Sequence, residues 1–161
     1  LGVAWLALLL VPAGVTAFAT AALPWFGVDL FVDRPAAAMG QFFTDSFRRR
    51  TGKPLEFVVG DVRTGGPVAL LSPDRPHLFI DASTDRAPWI SEAALREKGA
   101  VLVWQAADQA AAPPEWLKAR FPELVPEVAR SFERPFQGRL SLLRIGWAVI
   151  RPKSADGQPA Q

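Results

Sequence analysis

The sequence predicts an α/β fold: a small, mostly parallel sheet with flanking helices and a C-terminal antiparallel hairpin, preceded by one transmembrane helix. Two observations support this prediction. Apolar runs of strand length alternate with helical patterns between residues 33 and 121, an order typical of a parallel sheet covered by helices. Residues 1–28 contain no charged side chain, and a membrane-crossing helix needs about 20 residues. We therefore expect a transmembrane helix at 1–28, a soluble α/β domain at 29–152 and a disordered tail at 153–161.

The N-terminal apolar segment has two interpretations. As a membrane span it extends from Leu1 to about Leu23, and Pro24, Trp25 and Phe26 mark its interfacial end, because aromatic side chains favour the headgroup level. As a signal peptide it would end in the TAFATAA stretch, which resembles a cleavage region, although no basic residue precedes the apolar run. The side of the membrane is also open. The FRRRTGK cluster favours the cytoplasm, but it lies roughly 20 residues beyond the span, at the limit where such charges act.

The first half of the soluble part predicts a helix, a strand, a short helix and a second strand. Residues 33–53 have the spacing of an amphipathic helix, with Pro35 in the first turn and Gly52 after the last. Residues 55–61, LEFVVGD, predict a strand, the glycine-rich segment 65–73 a short helix or turn, and HLFID a second strand. The apolar face of the first helix consists of Met39, Phe42, Phe43 and Phe47.

The alternation continues with a helix, a third strand and another short helix. Residues 90–99 predict a helix that Ser91 caps and Gly99 ends. Residues 100–104 are continuously apolar, as expected of a strand that is covered on both faces. A short helix follows around residues 115–121.

Two further strands close the fold. The segments 128–136 and 139–152 alternate in the manner of strands, and we expect a hairpin that joins them near Gln137 and Gly138. A closing hairpin adds antiparallel strands to a sheet that is otherwise parallel.

Composition narrows the chemistry that the chain can perform. There is no cysteine, which excludes disulfides and thiolate metal sites, and one histidine, His77, cannot build a multi-histidine site. A net charge of +2 and a single basic cluster at residues 47–53 do not indicate a nucleic-acid partner. No phosphate-binding loop with a lysine after its glycines, no GxGxxG and no GxSxG motif occurs. We therefore expect no metal, no cofactor and no nucleic acid.

Two carboxylates end neighbouring strands and are candidate binding residues. Asp61 follows LEFVVG and Asp81 follows HLFI, and in an open parallel sheet the carboxyl ends of the strands line one ligand-binding edge. One interpretation is a carboxylate pair for acid–base work or for a hard cation. The other is that each aspartate caps the turn or helix that leaves its strand. Arg75 is a third candidate, either as an ion-pair partner of Asp61 or Asp81 or as an anion-binding residue.

Several short motifs resemble the C-terminal soluble region of bacterial family 39 membrane glycosyltransferases, the protein mannosyltransferase and aminoarabinose transferase-like proteins. The resemblance covers roughly residues 25–152, through the segments FRRRTGKPLEFVVGD, LLSPDRPHLFID, APWISEAALREKGAVLVW, PPEWL and LLRIGWAVIRP. Its most specific residues are Gly60-Asp61, Ser72-Pro73, Arg75-Pro76, Asp81, Pro88-Trp89 and the final strand, GWAVIRP.

The resemblance implies a role outside the catalytic machinery. Members of that family transfer a hexosyl or pentosyl group from a lipid-phosphate-linked donor on the outer side of the membrane, and their catalytic acids lie in an early loop between N-terminal spans. This chain would then hold the last span of such a protein and its periplasmic C-terminal domain, in a bacterial inner membrane. It would have no catalytic residue of its own, and its task would be acceptor recognition or structural support.

The same resemblance implies the partners. They are the membrane, the rest of the protein's own transmembrane domain, a polyprenyl-phosphate sugar, and a glycan or lipid acceptor. Two alternatives remain: a periplasmic binding or scaffold module with a single anchor, and a small metal-dependent enzyme that uses Asp61 and Asp81.

Overall fold

The structure is a computed structural model that describes residues 2–30, 34–135 and 138–153. The helices are α1 (Gly2–Ala22), α2 (Ala36–Thr51), α3 (Val62–Leu71), α4 (Glu92–Lys98) and α5 (Glu115–Arg120), with a short 3-10 helix at Leu23–Phe26. The strands are β1 (Phe57–Gly60), β2 (His77–Ile80), β3 (Ala100–Gln105), β4 (Glu127–Phe132) and β5 (Leu143–Ile150).

The chain divides into two compact units. The N-terminal unit consists of Leu1–Arg34 and Glu133–Leu142, and the α/β unit consists of Pro35–Phe132 and Leu143–Gln161. The connector between β4 and β5 therefore groups with the N-terminal apolar segment, although it is more than 100 residues away in sequence.

One five-stranded sheet, in the order β2-β1-β3-β5-β4, is the base of the α/β unit. β1, β2 and β3 run parallel, with Gly60 opposite Ile80 and Val59 opposite Leu102. β5 runs antiparallel to β3, and β4 runs antiparallel to β5. The predicted α/β fold with a mostly parallel sheet is confirmed.

Helices cover both faces of this sheet. One core cluster joins α2 and α3 to the sheet and includes Met39, Phe43, Phe47, Val58, Val68 and Val101. The opposite cluster joins α4 and α5 to it and includes Val59, Leu95, Leu102, Trp104 and Leu117. Successive side chains of a strand point to opposite faces, so the continuously apolar β3 contributes to both clusters, as its composition predicts.

The predicted C-terminal antiparallel hairpin is found, because β4 and β5 pair antiparallel. Phe132 lies opposite Leu143, so the connection spans residues 133–142, with the predicted position of the turn near its middle. Gln137, where we expected the turn, lies outside the described residues.

The connector packs on the end of the N-terminal segment. Gly138 has a φ of +51°, and Arg139 donates its backbone N–H to the carbonyl oxygen of Pro24 at 3.1 Å. A Cβ atom on Gly138 would lie 2.6 Å from the Pro24 backbone, so this close approach requires glycine.

A bridging carboxylate also closes the N-terminal unit. Asp29 accepts from Arg34 Nη2 at 3.2 Å through one oxygen and from Arg134 Nη1 at 2.5 Å through the other. Both arginine side chains are buried. One acidic side chain therefore joins the two separate stretches of sequence that make up this unit.

α1 is an exposed apolar helix. Within the described residues, one helix is long and apolar enough to cross a membrane, with the candidate span at Leu8–Phe26, which is almost entirely exposed. Its side chains include Leu9, 71% exposed, and Phe18, 75% exposed. Of the predicted tail at 153–161, only Lys153 belongs to the described residues.

Asp74, in the turn between α3 and β2, is the main polar anchor of the α/β unit. Its carboxylate accepts from the Leu55 N–H at 2.8 Å and from Arg48 Nε at 3.0 Å. Burial opposes ionisation of this carboxyl, but the hydrogen bonds from Arg48 and Leu55 outweigh it, so the pKa of Asp74 lies below its ordinary value.

The lowered pKa of Asp74 predicts a pH-dependent contribution to stability. A depressed pKa stabilises the fold above the unfolded value of about 3.9, and this contribution disappears as the pH falls through the folded pKa. We expect Asp74→Asn to cost roughly 2 kcal/mol at pH 7 and progressively less below about pH 4. Thermal unfolding from pH 7 to pH 2.5 measures this, with the exposed Asp85→Asn as control. A loss that does not change with pH would contradict the assignment.

Candidate functional site

The structure places Asp61 and Asp81 at one edge of the sheet, as predicted. They directly follow β1 and β2, which are adjacent and parallel, and the preceding residues Gly60 and Ile80 lie opposite each other. Each carboxylate, however, has a local partner. Asp61 Oδ1 accepts from the Thr64 N–H at 2.9 Å and caps α3, which confirms the capping interpretation for this residue.

Asp81 shapes the turn that leaves β2. Asp81 and Ala82 both have a φ of 51°, and the Ser83 N–H donates to the Ile80 carbonyl at 2.9 Å, which closes a tight turn. Aspartate tolerates this left-handed conformation better than most residues. Its carboxylate accepts from Arg86 Nη1 at 2.5 Å. The ion-pair partner of Asp81 is therefore Arg86.

The predicted ion pair between Arg75 and either aspartate is not formed. Arg75 precedes β2, whereas Asp81 follows it and Asp61 follows the neighbouring parallel strand. A strand of four residues spans roughly 13 Å, which separates the Arg75 backbone from both acids. Arg75 is exposed, and its φ of 49° shapes the turn before β2. The ion pair of this turn belongs to its neighbour Asp74, which binds Arg48.

The glycines around Asp61 serve close packing. A Cβ on Gly60 would lie 2.6 Å from the Val103 carbonyl oxygen, and one on Gly65 would lie 2.6 Å from Leu78 Cδ1. The N-terminus of α3 already holds the Asp61 carboxylate, which opposes binding of a second anion there. The glycines of this turn allow close packing of β1, β3 and α3.

Substitution of Asp61 and Asp81 distinguishes a structural role of these residues from metal binding. Asp61→Ala removes the cap and should lower the free energy of unfolding by about 1 kcal/mol, whereas Asp61→Asn keeps an acceptor and should lower it much less.

Among the described residues, no group of three or more His, Asp or Glu side chains is placed to hold a metal ion. We expect Mg²⁺ or Mn²⁺ to leave the melting temperature unchanged. A metal-induced rise that both Asp61→Asn and Asp81→Asn abolish would instead show a carboxylate pair.

A basic cleft of about 480 Å³ lies in the α/β unit, beside the start of β3 and the end of β5. Its cationic side chains are Arg96 of α4, Arg120 at the end of α5, and Arg151 and Lys153 after β5. Its apolar floor includes Phe121, Leu124 and Ile150. Glu123 is the acidic side chain among its lining residues.

Backbone hydrogen bonds position the segments that line this cleft. Ala100 pairs with Ile150, so the segment after β5 leaves the sheet beside the end of α4. There the Lys153 N–H donates to the Arg96 carbonyl oxygen at 2.9 Å. This bond holds two cationic side chains next to each other, although they are far apart in sequence.

The described residues leave most of the positive charge in the cleft without an ion-pair partner. Arg120 forms an ion pair with Glu92 of α4. In the part of the chain that the structure describes, Arg96, Arg151 and Lys153 make no side-chain ion pair or hydrogen bond. Such a cleft can bind anions.

Sequence reasoning missed this cleft because no local motif marks it. Its cations come from three distant segments, and only the strand order brings them together. The cleft also lies at the other end of the parallel strands from Asp61 and Asp81, where β3 begins. No family model matches this chain, and neither does any curated protein or solved structure.

Proposed function

We propose that this chain is the membrane-anchored C-terminal domain of an integral-membrane glycosyltransferase that uses a lipid-phosphate-linked sugar donor. In this proposal the domain lies on the periplasmic side of a bacterial inner membrane. It transfers no sugar itself, and it recognises the acceptor or supports the membrane core. The observation that carries the proposal is α1, an uncharged apolar helix whose described side chains are mostly exposed.

α1 supports the anchor because its surface is unfavourable in water. Exposed apolar surface costs about 25 cal/mol per Å², and contiguous apolar patches above a few hundred Å² are rare on monomeric soluble proteins. Trp25 and Phe26, at the end of the helical segment, are 62% and 80% exposed. Aromatic residues in this position are typical of the interfacial end of a membrane span.

The residues behind the family resemblance support an architectural role. Gly60 allows β1 to approach β3, and Asp61 caps α3. The Ser72 hydroxyl lies 2.5 Å from the Thr44 hydroxyl, and this buried hydrogen bond joins α2 to the end of α3. Asp81 shapes the turn after β2. Motif residues that hold a fold fit a domain whose chemistry is performed elsewhere in the protein.

The arginine cluster at the end of α2 is compatible with a periplasmic domain. Arg48 binds Asp74, and Arg50 Nη2 lies 3.3 Å from Glu127 Oε1. The guanidinium of Arg50 also lies 4.6 Å from the ring of Trp147. These arginines stabilise the fold, so their presence does not require a cytoplasmic location.

A transfer assay tests the proposal. The full-length protein that contains this chain, in nanodiscs, is incubated with radiolabelled polyprenyl-phosphate sugars, and the 1–161 chain is assayed alongside. We expect transfer by the full-length protein and none by residues 1–161 alone. Transfer by residues 1–161 would make the fragment catalytic, and no transfer by the full-length protein across hexosyl and pentosyl donors would reject the glycosyltransferase assignment.

The alternative is a periplasmic binding module with a single anchor, and the basic cleft is the observation that favours it. The residues that precede Leu1 distinguish the two. Several further apolar spans upstream are expected for the transferase, whereas a chain with no other span would support the single-anchor module.

A further inference from the structure

We propose that the basic cleft binds a phosphate monoester with an apolar body. This site stands on the geometry of the α/β unit and does not depend on the glycosyltransferase assignment. Its cationic residues, Arg96, Arg120, Arg151 and Lys153, come from three segments that face one recess.

The balance of charge favours a dianion. The cleft has four cationic side chains and one carboxylate, that of Glu123. Arg120 is already paired with Glu92, which leaves three cations against Glu123. Glu92 and Glu97 line an adjoining recess of about 390 Å³ together with Arg96 and Lys153, so acidic groups flank the cleft on one side. The three remaining cations attract a doubly charged phosphate more strongly than a singly charged carboxylate.

The type of cation is the second argument. A guanidinium presents a planar set of donors that matches the oxygens of phosphate, and such hydrogen bonds are roughly twice as strong as neutral ones. Arg96 and Arg151 are both exposed and can reorient their side chains towards a ligand without breaking an ion pair or a side-chain hydrogen bond to a described residue.

The floor of the cleft specifies the rest of the ligand. Phe121, Leu124 and Ile150 are half-buried against the core beneath α5, and Val125, 79% exposed, stands at the rim. A volume of about 480 Å³ lies within the 300–1,000 Å³ typical of small-molecule sites and is far larger than a phosphate group. The phosphate should therefore carry an apolar portion that covers these side chains.

The experiment uses the full chain in nanodiscs of zwitterionic lipid and isothermal titration with three probes. Octyl phosphate, below its micellar concentration, carries both features; inorganic phosphate has only the charge and 1-octanol only the apolar chain. We expect octyl phosphate to bind at least tenfold more tightly than either partial probe, and its affinity to fall with salt. No binding of octyl phosphate, or equal binding of all three probes, would overturn the proposal.

Two variants test the two halves of the site. Arg96→Gln with Arg151→Gln should weaken octyl phosphate binding at least tenfold. Val125→Asp should weaken it too, and all three positions are exposed, so circular dichroism and the melting temperature should not change. Lys118→Gln, which removes a surface cation paired with Glu115 outside the cleft, is the matched control and should bind normally. A Lys118→Gln chain that loses as much affinity as the cleft variants would show non-specific attraction and contradict the site.

A competition experiment identifies the source of the phosphate. Phosphatidic acid is added to the nanodiscs while octyl phosphate is titrated. Competition would assign the site to a lipid headgroup, and no competition would assign it to a soluble phosphate ester. Either result supports the cleft, and the transfer assay on the full-length protein remains a separate test of the proposed function.

Discussion

Replacement of Gly146 by alanine is expected to lower the free energy of unfolding by roughly 3 kcal/mol. Gly146 lies opposite Trp104 in the β3–β5 pair, and a Cβ atom on it would overlap the indole ring of Trp104. That indole is buried and donates to the Ala111 carbonyl oxygen at 3.2 Å. An added methyl group must therefore displace a large side chain from the core and break its hydrogen bond.

A double-mutant cycle measures the cause of this loss. Urea unfolding in detergent micelles is compared for Gly146→Ala, Trp104→Ala and the double variant. Because the smaller side chain at residue 104 leaves room for the methyl group, the second substitution should cost far less in the background of the first. Strict additivity, or a loss below about 0.5 kcal/mol for Gly146→Ala alone, would contradict the packing described for Gly146.

Replacement of Gly40 by alanine should have a similarly large effect. A Cβ on Gly40 would lie 2.7 Å from the backbone carbonyl carbon of Leu71 and 2.7 Å from the Ser72 nitrogen. Because both are backbone atoms, α2 must move away from α3. That movement also weakens the buried hydrogen bond between Thr44 and Ser72. We expect a loss of roughly 3 kcal/mol.

Gly66 supplies the matched control for Gly40. It lies within α3, directly before Pro67, and apart from its chain neighbours no atom would lie within 4 Å of a Cβ there. Gly66→Ala should therefore change the free energy of unfolding by less than about 1 kcal/mol, because the backbone entropy that alanine saves is opposed by the contact of its Cβ with Pro67. The two variants are compared by urea unfolding under the same conditions. Equal effects would show that helix propensity, and not the α2–α3 approach, decides the result at Gly40.

The spacing of apolar residues and the positions of capping and turn residues predict the helices and strands of the fold. The Phe43 and Phe47 face of α2, the apolar run of β3 and the Ser91 cap of α4 are local signals, and each is found in the structure. Local signals suffice there because the spacing of apolar residues determines which side of an element can be buried. They also place Asp61 and Asp81 at the carboxyl ends of two strands, whereas the adjacency of these strands follows from the sheet order.

The parts that the sequence does not predict depend on contacts between distant segments. Residues 133–142 show a turn signal at Gly138, but the contact of this connector with Pro24 has no local signature. The pair between Arg48 and Asp74 and the cations of the cleft are likewise set by strand order. The predicted ion pair of Arg75 with Asp61 or Asp81 was wrong for the same reason, because it depended on which end of β2 Arg75 occupies.

The depth of the N-terminal unit in a bilayer is the most direct test of the anchor. The chain contains no cysteine, so single labelling sites can be introduced cleanly. Leu10→Cys places a fluorescent label within α1, and Arg139→Cys places one on the connector segment that is bonded to Pro24. Quenching by nitroxides on lipid tails or on headgroups then reports the depth of each label in vesicles.

We expect the label at residue 10 to be quenched by tail nitroxides and shielded from iodide in water. The label at residue 139 should be quenched by headgroup nitroxides, because its backbone is 3.1 Å from Pro24 at the end of the span. A label at residue 10 that iodide quenches as strongly as a free thiol adduct would show that α1 does not enter the bilayer, and the membrane-anchored domain would be rejected.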